Sequence, residues 1–410
     1  MGGGRYRAAP TLRKIVEFGG AALLLTGATV GSVRGAEWYA QSRVRDDLFY
    51  EDNIGFTTRD PISSFGTLGS AGLILGGRTP NLDLSIEGIV RATRFVDNDA
   101  QKFDTNDQEV NFRGTQRGER SEVGLTVSYL RDRQRSDEVN ILGAQQPVNQ
   151  RRELVSVEPS FTYALTPTQT LRIDGTYQNV TYPTSSQLRE FQFQDYSQYA
   201  LGTTWLVSLN QRTSAGLGAS GFLYDSDIEK AQELSFQGIV QHQLTPRIAL
   251  DTRVGPGIVR TEIDQRGASN ETDVSPSYFV DSGINWDLTR RTHAELRART
   301  GVDPIGNGGV AQRSRVSLDL KHDVTRTVRL SASTIYVHEE DIGGGSSSNT
   351  QVRDFVRFEP TIRWSVTKDV DLSLLYRLRY QQFSNTGDDV TSNAVIVRFD
   401  LRLPDLRRSW

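Results

Sequence analysis

The chain has 410 residues, with 47 basic and 50 acidic side chains, no cysteine and a mean hydropathy of -0.46. Beyond the N-terminus no apolar run approaches the ~20 residues of a membrane helix, which excludes a helical membrane protein but not a barrel, whose strands show lipid only alternate residues. Mild acidity argues against nucleic acid as a partner, and the lack of cysteine excludes a disulfide scaffold and a lipid-modified N-terminal cysteine.

Arg5, Arg7, Arg13 and Lys14 precede a short apolar stretch through Ala21–Leu25 and small residues around Gly35 and Ala36. A basic segment, a short apolar segment and a small-residue cleavage site make up a secretory signal, here assigned to 1–35. Its removal changes the charged residues from 47 basic and 50 acidic to 42 and 49, a net -7. Residues 36–45 are then expected as a periplasmic lead-in, and 46–410 as the folded domain.

Along that domain, period-two runs predict strands centred near 50, 70, 87, 111, 126, 157, 175, 201, 219, 237, 254, 281, 296, 316, 333, 359, 376 and 397. That makes eighteen. Sixteen is the alternative, because Asp60-Pro61 and the glycine-rich run 66–77 leave the first two open. From residue 165 a short pattern recurs: Leu165-Thr166-Pro167, Leu209-Asn210-Gln211-Arg212, Leu244-Thr245-Pro246-Arg247, Leu288-Thr289-Arg290, Val324-Thr325-Arg326 and Val366-Thr367-Lys368. The period is roughly 40 residues, enough for two membrane-crossing strands and their connections, so the repeating unit is a hairpin. Alternation is clearest in Asp371–Gln381, where Leu372, Leu374, Tyr376, Leu378 and Tyr380 oppose Asp371, Ser373, Arg377, Arg379 and Gln381.

A soluble sandwich also alternates. Three features favour lipid: strands longer than the usual ~5–6 residues, aromatics near strand ends (Tyr163, Tyr177, Trp205, Trp286, Tyr336, Trp364, Tyr380), and short turns alternating with long hydrophilic loops at 96–107, 134–151, 264–273 and 340–351. The expected fold is all-β: a transmembrane up-and-down antiparallel barrel of about 18 strands, with both termini periplasmic. The terminal Trp410 suits a signal for barrel-assembly machinery, although Pro404 suggests that the last strand stops at Leu403.

A charge facing lipid costs ~2–4 kcal/mol at the midplane, so charges within strands must point inward. The expected pore lining is Arg253, Arg297, Arg299, Arg315, Arg357, Arg363, Arg377, Arg379 and Arg398, interleaved with Asp251, Glu295, Asp319, Glu359 and Asp371. Tyr199, Gln178 and Asn285 are assigned to the same wall. Such residues are either a selective lining or an ion-pair lattice that stiffens the wall.

Catalytic chemistry is not expected. His242, His293, His322 and His338 are assigned to the outward face near strand ends, and no nucleophile has a context that would join His322-Asp323. No spacing suggests zinc or a nucleotide, and no cofactor or metal is expected. Asp97-Asn98-Asp99 and Asp104–Asp107 fall in a surface loop, whose oxygens suit either solvent or Ca²⁺.

Asp52-Asn53-Ile54 near the expected mature start, the Leu-Thr-Pro turns at 165–167 and 244–246, the hairpin repeat and the barrel-like end resemble the β-barrel porin 2 family of outer-membrane proteins over residues 45–410. The resemblance implies a large outer-membrane barrel of a Gram-negative bacterium, with exopolysaccharide export or surface retention as its role. Lipopolysaccharide, the barrel-assembly machinery and a polysaccharide or its export proteins are the partners it implies. It carries no catalytic residues.

Overall fold

The computed structural model describes residues 36–133, 151–183, 194–263, 271–305, 309–342, 352–383 and 387–409. The signal assignment at 1–35, Trp410 and most of the long loops expected around 134–151, 264–273 and 340–351 lie outside them.

Eighteen staves form one sheet: β1 (Glu37–Glu51), β2 (Ser64–Arg78), β3 (Leu82–Phe95), β4 (Thr105–Arg117), β5 (Ser121–Arg133), β6 (Arg151–Thr166), β7 (Gln169–Thr181), β8 (Tyr196–Asn210), β9 (Thr213–Ser226), β10 (Glu229–Thr245), β11 (Ile248–Ile263), β12 (Glu271–Thr289), β13 (Thr292–Pro304), β14 (Val310–Asp323), β15 (Val328–Asp341), β16 (Arg353–Ser365), β17 (Val370–Phe383) and β18 (Asp389–Arg402). Each pairs antiparallel with its neighbours in sequence, and β18 pairs with β1 from Arg43↔Arg402 to Glu51↔Ala394, which closes the barrel. Closure leaves no unpaired edge, the condition under which a sheet can sit in lipid.

Two of the sequence assignments change. Residues 37–45, expected as a lead-in, are the first part of β1 and pair with β2 from Glu37↔Arg78 onward. The last strand does not stop at Leu403. Pairing resumes in β19 (Leu406–Ser409), from Ala40↔Leu406 to Glu37↔Ser409. Between the two segments Leu403, Pro404 and Asp405 oppose only Gln41 and Ser42. The extra residue forms a bulge that absorbs the missing proline N–H. Gln41 Nε2 donates to Asp405 Oδ2 across it at 2.9 Å.

The short turns explain the Thr repeat. At 167–168, 211–212, 246–247, 290–291, 324–327 and 366–369 an oxygen of the leading residue accepts the backbone N–H two positions on. Thr168 N donates to Thr166 Oγ1 at 3.3 Å, Arg212 N to Asn210 Oδ1 at 2.8 Å and Arg247 N to Thr245 Oγ1 at 3.2 Å. Arg291 N donates to Thr289 Oγ1 at 3.1 Å, Thr327 N to Thr325 Oγ1 at 3.1 Å and Asp369 N to Thr367 Oγ1 at 3.2 Å. A side chain that mimics a backbone turn fixes where each hairpin reverses, and Asn210 substitutes for Thr because its carbonyl serves equally.

All these turns lie at one end of the barrel, with Glu37 at the start of β1 and Ser409 at the end of β19. The opposite end carries the longer connections. The outward face is apolar along most strands (Val395, Val397 and Phe399 in β18; Leu372 and Leu374 in β17), with Trp38, Trp205, Trp286 and Trp364 toward the short-turn end and Tyr50, Phe65, Tyr199 and Tyr336 toward the long-loop end. Two aromatic girdles around an apolar band are what a lipid bilayer selects.

Candidate functional site

The pairing register assigns all fourteen expected lining residues to the inner face, where they form a connected charge wall across β11–β18 and β1. Arg297 meets Asp281 with two parallel bonds of 2.9 Å, and Asp251 lies within its electrostatic reach. Arg253 is opposite Asp281 in register, and Glu295 opposite Asp319. Arg299 is 3.8 Å from Asp303 and faces Arg315 across the β13–β14 pair. Arg357 faces Arg379 and lies within electrostatic reach of Arg315 and Arg377, while Arg377 is held by Glu359 at 2.7 Å. Asp371 gathers Arg363 at 3.4 Å, Arg402 at 3.0 Å and the Ser365 hydroxyl at 2.6 Å. Arg398 binds Asp47 at 2.8 Å, and Asp400 accepts from Arg43 at 2.6 Å. Like charges brought together in this way are tolerable only where water or acids screen them.

The inner face of β8–β10 differs. It carries no Arg or Lys. Glu229 and Glu233 lie on it toward the long-loop end, and the rest includes Gln198, Gly202, Thr204, Gly218, Ser220, Ser235 and Gln237. Gln237 Nε2 donates to Ser220 Oγ at 2.8 Å and to Ser235 Oγ at 2.9 Å, so these groups satisfy one another. The lumen is therefore polarised around its circumference, arginines interleaved with acids facing a wall that has no cation.

It is also graded along its axis. At the long-loop end the inner face is packed. Leu130, Leu154, Val180, Tyr182, Tyr196, Phe222, Tyr224 and Val259 form one buried apolar cluster. Val302 and Val310, from the tip of the β13–β14 hairpin, join it, so that tip bends across the inner face. Two ion-pair groups are sealed beside the cluster. Arg152 grips Asp132 through bonds of 3.1 and 2.7 Å, and Glu339 is shared by Arg313 and Arg353. Alternation extended to the strand ends would have found Arg152, Arg313 and Arg353. What seals them is tertiary.

The β1–β2 connection folds inward as well. Asp52 accepts from Asn393 N and Nδ2, both at 2.7 Å, which ties its base to β18. Asn53 Nδ2 donates to the carbonyls of Thr57 and Thr391, Thr57 N returns a bond to Asn53 Oδ1, and Ile54 N donates to Ile62 O. Phe56 sits at φ 49, a left-handed conformation unfavourable for an aromatic residue. Its ring packs on Ile335, Val337, Phe355 and Val390, and the Arg379 guanidinium lies 5.0 Å from its centroid. Arg379 in turn bonds Glu51 and Ser392. Beside this loop a cavity of about 330 Å³ is lined by Arg45, Arg91, Arg377, Arg379 and Arg398, by Asp47, Glu51 and Asp107, and by Phe49, Phe95 and Phe103. One oxygen of Asp107 is buried there without a hydrogen-bond donor.

Other sequence assignments fare unevenly. Gln178 and Asn285 are on the inner register, but Tyr199 faces outward with 51% of its surface exposed, its ring tilted against that of Tyr177 with centroids 5.0 Å apart. His242, His322 and His338 are outward. His293 shares the inner register of Glu295 and binds Asp287 at 2.9 Å, because two residues along a strand always share a face. In the acidic loop, Asp104 Oδ1 accepts from Phe95 N at 2.9 Å and Asp107 accepts from Thr105 at 3.1 Å, so both serve the backbone turn and wall. Among the described residues no cluster of metal-binding side chains occurs.

No protein-family profile matches the sequence, and no curated protein does. Among solved structures the chain is similar to the unliganded ferric citrate transporter FecA, at 9% identity and TM-score 0.48 over 86% of this chain, and it spans 60% of that chain's length. It is similar to OccAB4 of Acinetobacter baumannii, at 7% identity and TM-score 0.45 over 92% of this chain and 100% of that one. It is also similar to OpdO of Pseudomonas aeruginosa, at 14% identity and TM-score 0.45 over 90% and 98%. No residue role is carried across from them. The closed 18-stranded antiparallel barrel stands on its own strand pairing.

Proposed function

We propose that this chain is a porin-like channel of a Gram-negative outer membrane, reached by signal-peptide export and assembled by the barrel-assembly machinery, that conducts anionic solutes. The concentration of arginines on one inner wall, opposite a wall that carries none, carries the reading. A lumen so polarised attracts anions to its arginine side, orders water across its width and leaves small uncharged groups such as Ser220, Ser235 and Gln237 for solutes to slide along. We read the solute as an acidic oligosaccharide or polysaccharide in export or surface retention, supported by the sequence resemblance. The packed long-loop end supports a passage narrow at rest. It also favours a second reading, a non-conducting structural or adhesive barrel acting through its loops.

Single-channel recording of refolded residues 37–410 in planar bilayers separates them. The channel reading expects anion-selective steps that an acidic oligosaccharide blocks and a neutral one of equal length does not. A folded but silent barrel, silent also after Phe56→Ala opens the inward loop, would leave the structural reading in its place.

A further inference from the structure

The residues that follow five of the six hairpin caps have no part in the channel argument, yet their chemistry repeats. Arg212, Arg247, Arg290, Arg291, Arg326 and Lys368 stand at the tips of successive short turns and are exposed. Arg212, Arg247, Arg290 and Arg326 have no ion pair among the described residues, and Lys368 has only Asp369 at 3.9 Å, a separation too long to neutralise it in water. Just inboard on the outward face lie Leu209, Leu244, Val324 and Val366, each more than 40% exposed. Inboard of these is the tryptophan girdle.

Three hairpins show the sequence in one order: Trp205–Leu209–Arg212, Trp286–Leu288–Arg290 and Trp364–Val366–Lys368. From the barrel's middle outward, an indole, an aliphatic side chain and a cation follow one another. The indole and the aliphatic side chain fill the acyl and carbonyl region of a membrane interface, and the cation beyond them reaches the depth of the phosphates. We propose that this rim is a collar for the phosphate headgroups of anionic phospholipids in the leaflet on the short-turn side. The proposal rests on the membrane reading above and is independent of conduction.

An acidic protein partner is the competing occupant. Lipid is favoured because the cations follow five successive hairpins, from the β8–β9 turn to the β16–β17 turn, as a curved line along about half the rim, each flush with the apolar girdle at the depth where headgroups lie. Clustered cations at this depth each attract an anionic surface additively. On the opposite rim, by contrast, Arg131 pairs with Glu153 at 3.4 Å.

The test uses the full chain folded into phosphatidylcholine vesicles, with tryptophan fluorescence quenched by brominated phosphatidylglycerol or brominated phosphatidylcholine. The collar expects a several-fold preference of the quenching shell for phosphatidylglycerol, falling toward one at high salt. It should also fall toward one in a variant carrying R212Q, R247Q, R290Q, R291Q, R326Q and K368Q. A set carrying the five Arg→Lys changes should keep it, which separates lost charge from damaged turns. Equal quenching by both lipids in the unmodified protein would overturn the collar, as would a preference unchanged by neutralisation or lost equally in the lysine set. Absence of quenching by either lipid would overturn the membrane reading itself, and the collar with it.

Discussion

At the short-turn end of the lumen Arg172, Arg329 and Arg402 keep 51%, 49% and 52% of their side-chain surface in water. At the long-loop end Arg152, Arg313 and Arg353 keep 1%, 4% and 5%. All six bind carboxylates. The pairs Arg172–Asp174 and Arg329–Asp323, hydrated on both sides, are each worth about 1 kcal/mol or less, since water screens them and holding two long side chains costs entropy, while the Asp371 partner of Arg402 is itself buried. The two hydrated pairs add little to the stability of the wall. The sealed pairs have left water, and each partner makes the other's burial tolerable. One residue chemistry thus tunes one end of the barrel and fastens the other.

Breaking the fastened end should have the largest effect. Glu339→Gln leaves Arg313 and Arg353 buried without their shared anion, and we expect a loss of about 3–5 kcal/mol in urea unfolding of the folded barrel. Arg329→Gln, at the hydrated end, should cost about 1 kcal/mol or less in the same assay. Equal losses would erase the distinction.

Phe56 tests whether the long-loop end also limits passage. Phe56→Ala removes a buried ring and should cost about 3 kcal/mol while raising single-channel conductance. Phe56→Gly should recover roughly 1 kcal/mol of that loss, because glycine adopts the positive φ freely. A glycine variant less stable than the alanine one would show that the backbone at 56 is not strained.

Turn caps sharpen the comparison from the other side. Thr245→Ala removes the acceptor for Arg247 N and should cost about 1 kcal/mol, with Thr245→Asn restoring most of it as Asn210 does naturally. The smallest expected effect is that of Arg363→Gln. Its bond to Asp371 is long at 3.4 Å, and Arg402 and Ser365 remain on that carboxylate. Stability should stay within about 0.5 kcal/mol while the reversal potential in a salt gradient moves toward cation selectivity.

Much of this was legible in the chain. A residue's face is set by its parity along a strand, so Arg297, Glu359 and Arg398 could be turned inward without knowing their partners. The hairpin reversals were legible because a hydroxyl or amide acts on an N–H two residues away. The first part of β1, over 37–45, is hard to read because Ala40 and Ser42 interrupt the apolar outward positions between Trp38 and Val44. Tyr199 was misassigned because a phenol suits either face.

The sequence by itself determined an all-β chain of sixteen or eighteen staves, the hairpin ends and the inward direction of the charges, since each depends on residues a few positions apart. Only the tertiary structure decided that one end is packed and the other hydrated. Glu51 meets Arg379 across 328 residues of chain, and Phe56 finds its pocket on β15–β18 only because closure brings the first stave beside the last. Contacts across a lumen depend on the curvature of the whole ring, and no local pattern encodes that.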